Sequence, residues 1–490
     1  MKGHLIIIGF GPVSGYKYTR FIKLAVEGEH IDGYTIIDKE SKKDVVMNRL
    51  ESVSIQPLDI IFIPDVFLQD SISDGIGWLN DYFLKTSCKY KGLLKVVIAT
   101  EAQAHEEYLK YCIKMGFDTL CTKPLILPMK DGLFAPEKLV EKVHELIELA
   151  GENAHRHSLI CLGRHHEIYD KKIRNYIMFM MNRLRVPITS IHLKTASGVW
   201  NLPYEYSLRE DHPYKFGYGM LMHGSYHYID IFARFLLMNK NLFPNKDMLL
   251  EITGFSTFPS DQNIRIPNSV TSRLTDYITD FEHLEENYVY GENDVVMVCS
   301  LKLKETNQVI CLGTLSLEQT TPGMRSWGPF PEVPYNINGR LHCTDLDVRL
   351  ATVFSANANV VKTPIGARVN KQDLRGKNIG HVTVRSNADI AGTQEFFREE
   401  KIVKPYGKSF SYCSESEIFL RWIKGEKTYS DIASHLPTIT LLEGLSKAVK
   451  NNGEKIKIEF NFDFPEWPEV VNDDEFTFQD IENNNFFGEK

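Results

Sequence analysis

The sequence predicts a two-part chain: an α/β domain with a doubly wound parallel sheet, followed by an α+β domain with an open, mainly antiparallel sheet. Three observations carry this. Short β-branched runs alternate with helix-like stretches over the first third. The alternation stops near Ile168, and strand-like runs then follow one another with little helix between them. The 490 residues exceed what one core of ordinary size organises, so two domains are the natural expectation.

The elements come in order. "HLIIIGFGP" is a strand ending in glycines, and "YKYTRFIKLAVEG" is a helix. "YTIIDKE" is a second strand ending in Asp38. "LDIIFIP" is a third, with the helix "GIGWLNDYFLK" after it. "LKVVIAT" is the fourth strand, and "EAQAHEEYLKYCIKMG" has helical spacing and a glycine stop. "FDTLCTKPL" is a fifth strand, broken at Pro124. "PEKLVEKVHELIELAG" is amphipathic, with Pro136 near its start and Gly151 at its end. "SLICLGR" makes a sixth strand. Parallel strands joined by right-handed helical crossovers form a Rossmann-type doubly wound sheet.

The loop after the first strand reads Gly9-Phe10-Gly11-Pro12-Val13-Ser14-Gly15. Gly9 permits a tight turn, and Gly11 lets the backbone approach a pyrophosphate. Ser14 takes the place of a third glycine, and Pro12 suits a first helical turn. The N–H groups of the following helix would face the phosphates. Asp38 stands where it would accept hydrogen bonds from an adenosine ribose and repel a 2′-phosphate, which leans the cofactor toward NAD over NADP. Lys39, Lys42 and Lys43 act against that lean. The alternative is an ordinary βα turn without a ligand.

Beyond Ile168, "ITSIHLKTASGVW", "MLLEITGFSTF", "DVVMVCSLKLK" and "QVICLGTLSLEQ" read as strands. "YHYIDIFARFLL" and "ASHLPTITLLEGLSKAVKNNG" read as helices, and "KIKIEF" as a closing strand. Gln319 to Asp347, rich in Pro, Gly and aromatics, reads as an ordered loop. The expected domains are 1–165, 166–460 and an acidic extension, 461–490, which holds nine acids and one lysine.

Composition narrows the function. The formal net charge is −8 and Lys and Arg are scattered, which argues against a nucleic-acid surface. The eight cysteines form no C-x-x-C pair, so no zinc knuckle or redox dithiol is suggested, and they fit a reducing compartment. No apolar run is long enough for a membrane span, and "MKGHLIIIGFGP" is too short in its apolar part for a signal peptide. The expectation is a cytoplasmic protein.

"GYGMLMHGSYHYID" places His223 and His227 four apart at the start of an apolar helix, with Asp230 beyond. Helical spacing would put both rings on one face. Such a pair suits two zinc ligands, but no Glu follows the first His and no third ligand is evident, so no metal is expected. An imidazole titrates near neutral pH and suits proton exchange. Lys123 ends the fifth strand at the sheet's carboxyl edge, where ligands bind in such folds. Arg164, His165 and His166 lie past the sixth strand and either line a cleft or form a linker. Trp200 and Tyr226 are aromatic faces suited to a sugar ring, Tyr226 with a core position as its alternative. Arg325 and Trp327 serve a neighbouring subunit's site or an interface.

Over residues 4 to 460 the chain resembles the Gfo/Idh/MocA family of NAD(P)-dependent oxidoreductases. "IIIGFGPVSG" is similar to its glycine loop. "VVIATEAQAHEEYLKYCIKMGFDTLCTKPL" is similar to its fourth strand, helix and fifth strand, and "GYGMLMHGSYHYID" to the helix start bearing its catalytic histidine. The resemblance implies NAD(P) held by Gly9, Phe10, Gly11, Pro12, Val13, Asp38, Thr100, Glu101, His105 and Lys123. It implies a sugar-like or polyol-like substrate on the face of the second domain's sheet, with Lys123, His227 and His223 catalytic; Arg164, Trp200 and Tyr226 are the candidate substrate contacts read from the residues themselves. It implies hydride transfer between a carbinol and a carbonyl. The chain departs from the family at Thr122, where a Glu is usual, and at His223, where an Asp is usual. Open sheets of this kind often pair, so a homodimer or larger homo-oligomer is expected. The alternatives are NAD-assisted hydrolysis or elimination, imine reduction, or non-catalytic NAD binding on the same scaffold.

Overall fold

A computed structural model describes residues 2–68, 71–196, 201, 203–208, 213–267, 269, 290–319, 342–362, 378–391, 397–404 and 408–467. Trp200, Arg325, Trp327 and the extension past residue 467 lie outside the described residues. Two compact units emerge. The first comprises Met1–Lys130, Lys138–Arg164 and Ser414–Leu436; the second comprises Asp131–Glu137, His165–Cys413 and Pro437–Lys490.

The first unit holds β1 (Gly3–Ile8), α1 (Thr19–Glu27), β2 (Ile31–Lys39), α2 (Lys43–Leu50), β3 (Asp59–Ile63) and α3 (Ile72–Lys89). It continues with β4 (Leu94–Ile98), α4 (His105–Met115), β5 (Asp118–Cys121), α5 (Leu139–Ala150) and β6 (His157–Leu159). Among the described residues the sheet runs β3-β2-β1-β4-β5-β6, parallel throughout. The doubly wound sheet read from the sequence is present. Leu5, Ile6, Ile7, Ile36, Ile37, Val96 and Ile98 are fully buried, as strands covered on both faces must be. On α5, Leu139, Val143 and Leu146 are buried at helical spacing. Strand order reverses between β1 and β4, which makes the crevice at their carboxyl ends the topological switch point.

This unit is not one continuous stretch, as a cut at residue 165 would have it. The chain returns at Ser414, and the reason is an apolar helix. Phe419 packs on Phe21 with ring centroids 5.5 Å apart. Lys95 donates to the Trp422 carbonyl at 2.9 Å, and Lys17 pairs with Glu415.

The second unit contains α6 (Arg174–Leu184), β7 (Ser190–Ala196), α7 (Tyr226–Met238), β8 (Met248–Ser256), β9 (Val295–Leu303) and β10 (Val309–Glu318). It goes on with β11 (Cys343–Leu350), β12 (Phe354–Lys362), β13 (Asn378–Ser386), β14 (Phe397–Lys404) and β15 (Ile456–Glu459). Helices α8 (Phe410–Lys424) and α9 (Leu436–Lys450) lie between β14 and β15 in the sequence. Among the described residues the sheet runs β14-β13-β12-β11-β7-β10-β9-β8-β15, with β7 and β10 its parallel pair. The antiparallel expectation is met.

Strict alternation buries one face of this sheet, for example Met248, Leu250 and Ile252 on β8. Gly444 on α9 would place a Cβ 2.9 Å from Ile252, so the missing side chain brings that helix close to the sheet. Gly313 makes room in the same way for Phe232 of α7. Four strands, β11 to β14, were not anticipated. β11 begins at Cys343, inside the stretch expected to be a loop, whose residues 320–341 lie outside the described residues.

Candidate functional site

In the first unit, the ends of β1, β2, β4 and β5 come together along one sheet edge. Gly9 donates to the Ile37 carbonyl at 2.8 Å and has φ +87°. A Cβ there would stand 2.6 Å from the Ala99 carbonyl oxygen, so only glycine fits. At Gly11 a Cβ would meet nothing within 4 Å. Packing therefore does not require that glycine, and the bare backbone faces open room of the kind a pyrophosphate needs. Pro12 and Val13 begin a helical segment whose next turn, Ser14–Tyr18, is a π-helix. Such turns occur often at functional sites. The Ser14 hydroxyl closes the loop by donating to the Gly9 carbonyl at 3.1 Å.

Phe10 is gripped from both sides. Its N–H donates to Asp38 Oδ2 at 2.7 Å, and its carbonyl accepts from Arg49 Nη1. Asp38 Oδ1 accepts from the Lys39 N–H at 2.8 Å. Burial raises the Asp38 pKa, and these two N–H groups oppose the rise. The Arg49 stem lies across Gly15, where a Cβ would stand 2.5 Å from Arg49 Cδ. The sequence reading passed over Arg49. Its signal was position: it follows Val46 by three and precedes Leu50, the two buried residues of α2.

At the end of β4, Glu101 stands 3.6 Å from Lys39, an ion pair between partly exposed groups that adds little stability. His105 is buried. Its Nδ1 lies 2.7 Å from the Pro124 carbonyl, and its Nε2 lies 3.1 Å from the Thr100 carbonyl and 3.4 Å from the Thr122 hydroxyl. Burial lowers the His105 pKa, against the pull of the two carbonyls. The ring thus ties the ends of β4 and β5 together beside Lys123 and Pro124, and it does so as a brace rather than as an exposed contact. Thr122, in the place of a glutamate, joins that brace. Lys123 is half-buried where β5 ends.

Arg164 is built differently from the substrate contact expected of it. It is 2 % exposed; its guanidinium donates to the Tyr429 and Ser434 carbonyls at 2.7 and 2.9 Å and to the Ser434 hydroxyl. It anchors the returning segment within its own unit. His166, in the second unit, caps a π-turn by accepting from the Ile168 N–H at 3.2 Å, and burial pushes its pKa down to about 3. A cleft-lining proton carrier is not what such a neutral capping ring provides.

In the second unit, the two histidines are close in sequence but do not share a helix. α7 begins at Tyr226, so His227 is in its first turn and His223 lies in the preceding chain of turns. The expectation of one shared helical face is corrected accordingly. The cause is a backbone lock. At Gly219 a Cβ would come within 2.0 Å of the Glu292 carbonyl oxygen, and at Gly291 within 2.0 Å of the Tyr218 backbone. The Met220 N–H donates to the Glu292 carbonyl at 2.9 Å, and the Leu221 N–H to Glu292 Oε1 at 2.9 Å. The chain is pinned there and runs as successive turns, the His223 N–H donating to the Gly219 carbonyl at 3.1 Å, before the helix begins at Tyr226.

His223 sits between Tyr214 and Tyr218, with ring centroids 5.1 and 5.0 Å away. Tyr214 donates to Gln319 Oε1 at 2.6 Å, and Tyr206 to Asn293 Oδ1 at 3.1 Å. Asp230 accepts from Thr438 at 2.8 Å. Tyr226 is fully buried, a core position rather than an open aromatic face. Glu292 is the residue the sequence reading missed here. Burial raises its pKa to about 7, opposed by its own backbone N–H, by the N–H groups of Leu221 and Gly219 and by the charge of Lys450. Among the described residues no group of three or more His, Cys, Asp or Glu is disposed to hold a metal ion, and no helix is long and apolar enough to cross a membrane.

No family model matches the sequence, and no curated protein matches it. Solved structures do share the fold. An oxidoreductase from Agrobacterium radiobacter, solved with NAD+, L-tartaric acid and magnesium, is 11% identical with a TM-score of 0.51, covering 94% of this chain and 99% of its own. An oxidoreductase domain protein from Kribbella flavida has 11% identity and a TM-score of 0.55, covering 94% of this chain and 100% of its own. Levoglucosan dehydrogenase, in complex with NADH and L-sorbose, has 11% identity and a TM-score of 0.53 over the same shares. The two-domain α/β plus α+β architecture of this chain is therefore one found in oxidoreductases.

Proposed function

We propose that the chain is an NAD(P)-dependent oxidoreductase of the Gfo/Idh/MocA type, acting between the carbinol and carbonyl forms of a sugar-like, polyol-like or sugar-derived substrate. The observation that carries this is the loop at the switch point: Gly9 required by the turn, Gly11 bare over open room, and Asp38 at the end of the neighbouring strand. The nucleotides in the complexes of the fold neighbours support the same reading, as does the L-sorbose bound by levoglucosan dehydrogenase.

Gly9 to Val13, Asp38, Thr100 and Glu101 would hold the dinucleotide, which when bound accepts or donates the hydride. Lys123 would hydrogen-bond the reacting oxygen and stabilise charge developing on it. His227 would exchange the accompanying proton, with His223 as its neighbour in the same wall. Leu312, Val298 and Phe255 leave 56%, 56% and 59% of their surface exposed on the open face of the second unit's sheet. They favour a homo-oligomer, which sedimentation of the full chain would reveal.

The test is direct. Full-length protein should quench or shift NADH fluorescence on binding. It should also reduce free NAD or NADP with at least one member of a panel of sugars and polyols. Absence of nucleotide binding would overturn the proposal; binding without net redox turnover would move it to NAD-assisted elimination or to a binding role.

A further inference from the structure

Glu292 stands out among the buried acids because of what it touches. Its side chain and its main chain both act on one segment, residues 219–221. The carboxylate accepts from the Leu221 N–H at 2.9 Å, and the carbonyl accepts from the Met220 N–H at 2.9 Å. Gly219 and Gly291 let the two backbones meet where any side chain would collide. Two residues beyond this grip is His223, held between Tyr214 and Tyr218.

We propose that Glu292 is the positioning residue of the two-histidine turn: it fixes residues 219–221 and so sets the place of the His223 ring. The inference rests on the reading that this turn is the catalytic wall of the second unit. The chain carries no acid at position 223 itself, and Glu292 supplies a carboxylate to the same turn from a distant part of the sequence.

The grip depends on ionisation. A carboxylate accepts the Leu221 N–H with full strength; a protonated carboxyl must turn one oxygen into a donor. Burial brings the Glu292 pKa to about 7, so this change falls near neutrality. The charged and titratable groups around it are few among the described residues. Lys450 faces it from α9, donating to the Phe134 carbonyl at 2.8 Å near Glu137. The turn contributes His223, Tyr214 and Tyr218. Asp294, further along its own segment, is paired with Arg265.

The experiment uses deuterated full-length chain with 15N-leucine or 15N-histidine. The Leu221 amide is assigned by its loss in Leu221→Met, and the His223 ring signal by its loss in His223→Gln. In the wild type the Leu221 amide proton should move downfield as pH rises, with a midpoint near 7. In Glu292→Gln that transition should vanish, and the His223 ring signal should shift while that of His105, in the other unit, stays in place. On a polyol the wild type oxidises, Glu292→Gln should lower kcat at least tenfold with KM for NAD within twofold, and Glu292→Asp should recover part of the loss. A pH-independent Leu221 amide in the wild type overturns the proposal even if the variant fails to fold. So does an unmoved His223 ring or an unchanged kcat in a folded variant. If the wild type oxidises nothing, the reading of function fails and the two spectroscopic measurements alone decide the role of Glu292.

Discussion

The two candidate regions use the same residue for opposite purposes. At the carboxyl edge of the first unit's sheet, the absent side chain of Gly11 leaves open room. At the two-histidine turn of the second unit, the absent side chains of Gly219 and Gly291 are replaced at once by each other's backbone neighbourhood. A glycine facing open room is free to admit a ligand. A glycine pressed on backbone holds a shape. The comparison teaches that nucleotide affinity and chemical competence should fail separately, because one region is a cradle and the other a clamp.

The sharpest way to break it is His227→Ala. Removal of a positioned acid/base typically lowers rate about a hundredfold to ten-thousandfold. Turnover on an accepted polyol should fall by that factor while NADH affinity stays within about twofold of wild type, since the residues proposed to hold the nucleotide lie in the other unit. Steady-state kinetics and fluorescence titration measure the two numbers. A chelator should leave wild-type turnover unchanged. Loss of NADH binding in this variant would show that the regions do not fail separately.

The glycines give the next contrast. Gly11→Val should keep its melting temperature, because its Cβ meets nothing, yet lose NADH affinity by about a hundredfold or more through contact with the pyrophosphate. Gly219→Val should do the reverse and unfold early, since a Cβ there comes within 2.0 Å of backbone. Calorimetry on both reads affinity and stability together. Unchanged affinity in folded Gly11→Val would remove the cradle.

Glu292 gives a pH signature. Its folded pKa of about 7 is above the 4.5 of an ordinary Glu, so its protonated form is favoured by folding. That contribution is complete below the unfolded value and is lost as pH rises through the folded one. The loss amounts to about 3 kcal/mol at most between pH 4 and 8. Stability of wild type minus that of Glu292→Gln should therefore fall across this window. A flat difference in denaturant midpoints would mean the carboxylate is better solvated than its burial implies.

The sequence disclosed the first region far better than the second, for physical reasons. β1, β2 and β4 are buried on both faces, and such strands are unbroken β-branched runs between turn residues. β11 to β14 are covered on one face only. Their inward positions include small residues such as Ala356 and Ala358, and their outward ones include Asp345, Asp347, Asn357 and Asn359, so little β-propensity shows. The glycine loop and Asp38 are separated by one crossover, and the motif's spacing exposes them. Glu292 meets Met220 and Leu221 across about seventy residues, and no local pattern announces that contact. Arg164 and Tyr226 share a lesson: residue type pointed to an open site, and burial, which one sequence does not reveal, puts both side chains inside, Tyr226 at the core position that was its alternative. His223 misled because helical spacing was extended one turn too far, past a backbone lock visible only in three dimensions.

Arg49 is a milder probe of the cradle. Its guanidinium holds the Phe10 carbonyl while Asp38 holds the Phe10 N–H. A charge-assisted hydrogen bond contributes about 1.5–3 kcal/mol, so Arg49→Ala should weaken NADH binding about tenfold, and up to a hundredfold if the whole loop relaxes. Arg49→Lys should recover part of it. Wild-type affinity in Arg49→Ala would show that Asp38 alone fixes the loop.

The smallest effect concerns the choice between NADH and NADPH. Asp38 carries a charge beside the place expected of the ribose, and a 2′-phosphate there would be repelled. The three following lysines oppose this, but they are not equally available: Lys39 lies 3.6 Å from Glu101, and Lys43 stands over the Phe62 ring at 6.0 Å. NADH should therefore bind a few-fold tighter than NADPH at low ionic strength, and the gap should narrow with salt because the groups are partly exposed. Asp38 has a raised pKa, so the repulsion should also fade as pH falls through it. Glu101→Gln would release Lys39 toward the phosphate and shift the ratio toward NADPH. Parallel titrations of the two nucleotides at two salt concentrations measure all of this. Tighter NADPH binding in the wild type would mean that the lysines outweigh Asp38 and that the loop, not the acid, defines the cradle.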